Sequence, residues 1–218
     1  MATAVPPAIP PAAQPAHSPS PAPPPTPRSR AKADRRQALL EAAAALFARS
    51  GFNGVSIEDL GAAAGVSGPA VYRHFSGKQA VLAALLVGAS ADLVEGGRTV
   101  VATATDAAAA LRSLVRFHLA FALANPDVIR VQDRDLDSLA EAERHEVRAL
   151  QRSYVELWVR LLGEVHPEVD AKLLRIRAQA TFGLLNSTPH SMQASSARTV
   201  RPVLEEMALA ALGVPAGQ

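Results

Sequence analysis

Residues 51–82 read Gly-Phe-Asn-Gly-Val-Ser-Ile-Glu-Asp-Leu-Gly-Ala-Ala-Ala-Gly-Val-Ser-Gly-Pro-Ala-Val-Tyr-Arg-His-Phe-Ser-Gly-Lys-Gln-Ala-Val-Leu. The order of residue types describes two short helices joined by a glycine turn. Ser56 stands where an N-cap belongs, and Asp59 three residues on closes a variant of the capping box. Val55, Ile57, Leu60 and Ala64 form the apolar face of the first helix. Gly65 ends it, since glycine enters the left-handed conformation without a Cβ penalty. Val66 plugs the turn into a core, Ser67 caps the next helix, and Pro69 is tolerated in its first turn. Such a unit is a helix-turn-helix, whose second helix enters the major groove while the first crosses the DNA backbone.

Working outward, a helix over residues 35–49 precedes this unit and buries Leu39, Ala43, Leu46 and Phe47. A fourth helix over 78–94 turns Val81, Leu82, Leu85 and Leu86 inward and is expected to stop at Gly96-Gly97. Residues 106–124 place Leu111, Leu114, Val115, His118 and Phe121 at helical spacing. Asn125-Pro126-Asp127 breaks the chain and opens a short helix to Val131. The longest helix is expected over 141–164, with Val147, Leu150, Tyr154, Leu157, Trp158 and Leu161 on one stripe. Two last helices, 168–186 and 196–212, are divided by Thr188-Pro189-His190. No strand and no internal repeat is visible, so the fold class is all-α, with about nine helices.

Composition narrows the function. The chain has no cysteine, which excludes disulfides, thiolate metal sites and a cysteine nucleophile. Residues 1–27 hold eleven of the seventeen prolines and no Asp, Glu, Lys or Arg; they are expected to be a disordered tail. Arg28, Arg30, Lys32, Arg35 and Arg36 follow as a basic arm able to reach phosphates or a minor groove. Residues 28–80 carry eight Lys/Arg against four Asp/Glu, whereas 81–218 carry fourteen against sixteen. Positive charge is thus concentrated beside the helix-turn-helix, as phosphate binding requires. There is no secretory signal and no uncharged apolar run of membrane length outside the tail, so a cytoplasmic protein without a membrane partner is expected.

Catalytic and metal chemistry find no footing. Asp133-x-Asp135-x-Asp137 resembles the start of a calcium loop, but Ser138 and Arg144 stand where the turn glycine and the bidentate glutamate belong. His118, His145 and His166 lie on different helices without a nucleophile-elbow serine, and Gly77-Lys78 lacks the first glycine of a P-loop. No metal, cofactor or catalytic residue is assigned.

The string Gly65-Val66-Ser67-x-x-x-Val71-Tyr72-x-His74-Phe75-x-x-Lys78-x-x-Val81-Leu82, with Leu46-Phe47-x-x-x-Gly51-Phe52-x-x-Val55-Ser56 upstream, resembles the signature of TetR-family transcriptional regulators. The resemblance implies a division into a tail and basic arm (1–33), a helix-turn-helix DNA-binding domain (34–82) and an effector-binding and dimerisation domain (83–213). It implies DNA contacts from Ser56, Ser67, Gly68, Pro69, Ala70, Tyr72, Arg73, His74 and Lys78. Gly68, Pro69 and Ala70 have no long hydrogen-bonding side chain, so backbone contacts, thymine-methyl packing and Arg73 must carry more of the base reading. Tyr72, His74 and Lys78 match positions that touch phosphates.

The resemblance also implies a mostly apolar effector cavity with a few polar groups. Candidates are the polar side chains on apolar helical faces: His118, Gln132, Gln151, Tyr154, Trp158 and Thr181. Val128-Ile129-Arg130-Val131-Gln132-Asp133-Arg134-Asp135-Leu136 and Arg148-x-x-Gln151-x-x-Tyr154-Val155-x-x-Trp158 are similar to actinobacterial regulators of fatty-acid or branched-chain acyl-CoA breakdown. That likeness implies an acyl-CoA effector held at its charged end by Arg148 or Arg152, unless these arginines pair with Asp133, Asp135 and Glu156. The expected assembly is a homodimer through the last two helices, using Leu173, Leu174, Ile176, Ala180, Leu184, Leu185, Val203, Leu204, Met207 and Leu212. The leading expectation is a repressor released from a palindromic double-stranded operator by a small molecule. A transcriptional activator, or a small-molecule-binding helical protein with a vestigial helix-turn-helix, stays open.

Overall fold

The computed structural model describes residues 26–192 and 195–215. The first helix, α1 (Pro27–Ser50), starts earlier than the expected 35. Thr26 caps it by accepting from the Ser29 amide at 3.2 Å, and Pro27 occupies the first helical position, where its missing N–H is no loss. The expected basic arm, Arg28 to Arg36, is therefore helical. The proline-rich stretch before it lies outside the described residues.

Helix α2 (Ile57–Ala63) carries the expected capping box: the Ser56 hydroxyl accepts from the Asp59 amide at 3.0 Å, and an Asp59 carboxylate oxygen accepts from the Ser56 amide at 2.8 Å. Gly65 turns the chain at φ 68°. The recognition helix α3 (Gly68–Val71) is one turn long, continued by hydrogen-bonded turns to Phe75. Ser67 has N-cap backbone geometry, but its hydroxyl makes no capping bond, contrary to expectation; its carbonyl accepts from Ala70 instead.

Helix α4 (Lys78–Ala102) runs straight through Gly96-Gly97, where a break was expected. The reason is non-local. A Cβ on Gly96 would stand 2.3 Å from the Phe117 ring, and one on Gly97 would stand 2.6 Å from the Tyr154 ring. The two glycines are the notch that lets α4 lie against its neighbours. These are α5 (Ala107–Ala124), capped by Asp106, and α7 (Glu141–Val165). Between them come α6 (Pro126–Asp135), longer than expected, and a 3-10 turn over Leu136–Ser138. Helix α8 (Ala171–Leu185), the single turn α9 (Thr188–Ser191) and α10 (Ala197–Leu212) complete the chain. The nine expected helices are all present and α9 is an addition; among the described residues there is no strand.

Two apolar cores result. One joins α1, α2, α3 and the start of α4 through Leu39, Phe47, Leu60, Val71 and Leu82, and it extends past residue 82 to take in Val128 and Val131 of α6, with Leu139 and Val147. The other packs the end of α4 with α5, α7, α8 and α10 around Leu114, Trp158, Leu162, Leu185 and Leu212. Helices α4 and α5 are long and apolar enough to cross a membrane by length and composition alone. Here their buried faces supply the centre of the helical bundle.

Candidate DNA-binding face and ligand cavity

Around α3 the exposed side chains are those of Ser67, Pro69, Tyr72 and Arg73, while Gly68 and Ala70 are half-buried. Tyr72 is 56% exposed although it is large and aromatic, which suits a side chain waiting for a partner surface. The other candidates are already engaged. Ser56 donates its hydroxyl proton to Asp59 at 2.7 Å. The Lys78 ammonium donates to the Phe52 carbonyl at 2.8 Å and lies 4.4 Å from the centre of the Phe52 ring. Lys78 thus ties the start of α4 to the α1–α2 turn, a role the motif did not disclose.

The helical start of α1 lies alongside the recognition turn. Arg28, Lys32 and Arg35 line a groove of about 570 Å³ together with Arg73 and His74. Burial and the surrounding Lys32, Arg35, Arg36 and Arg73 hold the half-buried His74 below its ordinary pKa. Its Nδ1 has no hydrogen-bond partner. The groove is a concentration of positive charge contiguous with the exposed recognition helix.

In the larger core, a cavity of about 420 Å³ opens between α4, α5, α6, α7 and α8. Of the expected residues, His118, Gln132, Arg148, Gln151 and Tyr154 line it, as does Arg152. Two expected residues do not. Thr181 turns into the core and donates to the Arg177 carbonyl at 2.8 Å, and Trp158 is fully buried behind the wall. Sequence reading missed Ser90, Arg175, Gln179, Phe182 and Asn186. Arg175, Gln179, Phe182 and Asn186 follow one another at helical spacing along α8, and that stripe was the available signal.

The inner wall is aromatic. His118, Tyr154 and Phe182 stack with centroids 5.3–5.7 Å apart, and Trp158 stands edge-on to each of them. His118 bonds Asn186 Oδ1 through Nε2 at 2.9 Å. Burial pushes its pKa down to about 4, against a smaller upward pull from Asn186, so the ring is neutral near pH 7. Desolvation likewise raises the Tyr154 phenol above its ordinary range, softened by the nearby Trp158 indole. Three atoms of this cluster, Tyr154 Oη, Trp158 Nε1 and His118 Nδ1, are buried without hydrogen-bond partners.

At the rim, Arg148 pairs with Asp137 at 3.5 Å and Arg175 with Glu156 at 2.7 Å. These are not the partners expected for Arg148 and Arg152, and Arg152 makes no ion pair among the described residues. Asp135, offered as part of a calcium-like loop, is buried against Arg134 at 3.1 Å.

A short reading head carried on a larger helical body is the build of a helix-turn-helix transcriptional regulator, and this chain is one. It belongs to the TetR family: residues 39–85 match the model for bacterial regulatory proteins, tetR family, and residues 104–194 that for the tetracyclin repressor-like C-terminal domain. Over 149 residues it is 29% identical to the HTH-type transcriptional repressor KstR2 of Rhodococcus jostii (strain RHA1), covering 65% of this chain and 73% of that one. The crystal structure of a TetR-family regulator from Bordetella parapertussis 12822 matches with a TM-score of 0.73 at 26% identity, over 84% of this chain and 98% of the other. The regulator FadR of Bacillus subtilis, solved in complex with stearoyl-CoA, shares the fold at a TM-score of 0.64 and 15% identity, over 80% and 98% of the two chains. The family is one of transcriptional regulators rather than enzymes, and its members bind operator DNA and small-molecule effectors and dimerise.

Proposed function

We propose that this regulator is a cytoplasmic repressor that pairs through α8 and α10, holds a palindromic operator, and lets go when an acyl-CoA enters the α4–α8 cavity. The observation that carries the effector half is the cavity's polarity gradient. Of its lining residues, Arg152 is exposed and the Arg148 and Arg175 side chains are partly so, where phosphates and a nucleotide can remain in water, whereas His118 and Tyr154 of the aromatic wall are buried. An acyl-CoA has the same gradient. A relative whose fold is shared holds stearoyl-CoA, which supports the class of ligand though not its chain length.

On the DNA side, Tyr72 and Arg73 supply the recognition turn's contacts, Arg73 reading bases. His74, together with Arg28, Lys32 and Arg35 from the start of α1, contacts phosphates, widening the footprint beyond the helix-turn-helix itself. Helix α4 connects the two sites. Lys78 at its start adjoins the DNA-binding unit, and Ser90 and Leu93 of the same helix line the cavity, about 18 Å further on at 1.5 Å per residue. A ligand that tilts α4 alters the separation of the paired recognition helices, which must stay near ~34–36 Å to fit successive major-groove faces. Release follows only insofar as the ligand prefers the tilted state.

The test is selection of bound sequences from random genomic fragments, followed by ligand competition. The repressor reading expects one palindrome, bound with steep salt dependence, and release by a subset of a panel of acyl-CoAs. Arg152→Ala should raise the concentration needed for release about tenfold, consistent with loss of one charge-assisted contact. Absence of any selected sequence would return the helix-turn-helix to the status of scaffold.

A further inference from the structure

The aromatic wall of the cavity is not wholly apolar. Two of its lining side chains, His118 and Tyr154, carry polar atoms with no partner: the His118 Nδ1 acceptor and the Tyr154 hydroxyl. The two side chains are 3% and 5% exposed, so water in the open cavity does not satisfy them. His118 Nε2 is committed to Asn186 Oδ1, an atom that only accepts, so the proton sits on Nε2 and Nδ1 offers a lone pair. A buried donor or acceptor left unpaired costs stability, and a ligand that pairs it recovers that cost on binding.

We infer that the effector carries a hydroxyl group at the end that enters the cavity first. This rests on the effector reading above and specifies it. One hydroxyl donates and accepts at once, matching the His118 acceptor and the Tyr154 donor on the wall. A terminal methyl would leave both unmatched. A ketone would accept from Tyr154 but offer nothing to His118. A carboxylate would lose its hydration beside these buried rings, whereas Arg152 is exposed and the Arg148 and Arg175 side chains are partly so. Phe182 lines the same cavity, half-buried and stacked on both His118 and Tyr154 with centroids 5.3 and 5.5 Å away, so a ligand that shifts this ring reaches both. The ligand class is therefore an acyl-CoA hydroxylated at the far end of a chain of middle length, since about 420 Å³ lies at the small end of ligand pockets.

Calorimetric titration of the full chain with octanoyl-CoA and with 8-hydroxyoctanoyl-CoA tests this. The hydroxylated thioester should bind at least tenfold tighter, by the logic that a site built for a hydroxyl rejects its deoxy analogue. Tyr154→Phe should cut that preference to a few-fold. The same variant gives a readout without ligand: removing an unsatisfied buried hydroxyl should raise the melting temperature of the free protein, by about 2–4 °C. Equal binding of the two thioesters overturns the inference and leaves the acyl-CoA reading standing. A melting temperature lowered by Tyr154→Phe also overturns it, since the hydroxyl would then already be satisfied within the protein. If neither thioester binds, the acyl-CoA reading falls and the inference with it.

Discussion

His118 is held neutral by its surroundings, and this has a signed consequence for stability. Its pKa is about 4 in the fold, against about 6.5 in an unfolded chain. Above pH 6.5 neither state is charged and the residue contributes no pH dependence. As pH falls from 6.5 toward 4, the unfolded chain takes up a proton that the folded one refuses. Stability should then fall by up to about 1.4 kcal/mol per pH unit from this residue. Chemical denaturation at pH 7.5, 6.0 and 5.0 should show a shallower decline for His118→Gln than for the parent. Identical slopes would mean that the imidazole is solvated. Lys78 has two jobs that measurements can separate. Lys78→Ala removes its bond to Phe52 and its contact with the ring, so the melting temperature should drop by about 2–4 °C, for a loss near 1 kcal/mol. If the ammonium also meets a phosphate, the salt slope of operator binding falls by about 0.9 per subunit; an unchanged slope confines Lys78 to the internal tie.

At the scale of elements, α8 shows why some of the site was legible and some was not. Local signals exposed the helix-turn-helix: the Ser56–Asp59 box and Gly65 act within a few residues of themselves. The ligand-cavity candidates on α5, α6 and α7 were visible as polar interruptions of apolar stripes. Helix α8 instead has three faces. Leu174, Ala178, Thr181 and Leu185 enter the core, Arg175, Gln179, Phe182 and Asn186 face the cavity, and Leu173, Ile176, Ala180 and Gly183 point outward. A single stripe cannot reveal which face meets which neighbour, so Thr181 was placed in the cavity and Gln179 and Asn186 were missed. Pro27 misled in a similar way, because a proline at a helix start and a proline in a tail look alike without the cap that Thr26 supplies. Gly96-Gly97 was read as a break for want of knowledge of the rings that fill it. Two glycine substitutions distinguish these uses. Gly97→Ala forces the buried Tyr154 ring to move and should lower stability by about 1–2 kcal/mol, the overpacking cost less the gain in helix propensity. Gly183→Ala meets nothing within 4 Å in its own chain. It should stabilise an isolated subunit by about 1 kcal/mol, and loosen a dimer in which α8 packs closely on its mate. Thermal melts across a hundredfold range of protein concentration separate the two effects.

For the whole molecule, the proposed pairing rests on the outward faces of α8 and α10. Leu174, Leu185, Leu204 and Leu212, expected at the dimer interface, are buried within their own chain. What stays outside is Leu173 at 55%, Ile176 at 60%, Val203 at 51% and Met207 at 49% exposure, a grouped apolar patch of the kind that marks an interface. Ile176→Asp should give a monomer by light scattering at micromolar concentration and abolish binding to a two-fold operator. A dimer of unchanged mass would move the interface elsewhere.

Helix α6 serves the smaller core and the cavity at once. Its Val128 and Val131 complete the core beneath the recognition unit, its Gln132 faces the cavity, and its Arg134 donates to the Phe47 and Ala48 carbonyls that end α1. For anyone grafting this reading head onto another sensor, the cut that looks natural, just after residue 82, is the wrong seam. It would strip the graft of apolar neighbours for Leu39 and Phe47 and leave the last carbonyls of α1 bare. A hybrid that keeps its native α6 and the α6-facing turn of α7 with residues 27–82 should fold and bind DNA, whereas one that borrows α6 from the recipient should melt lower and bind weakly.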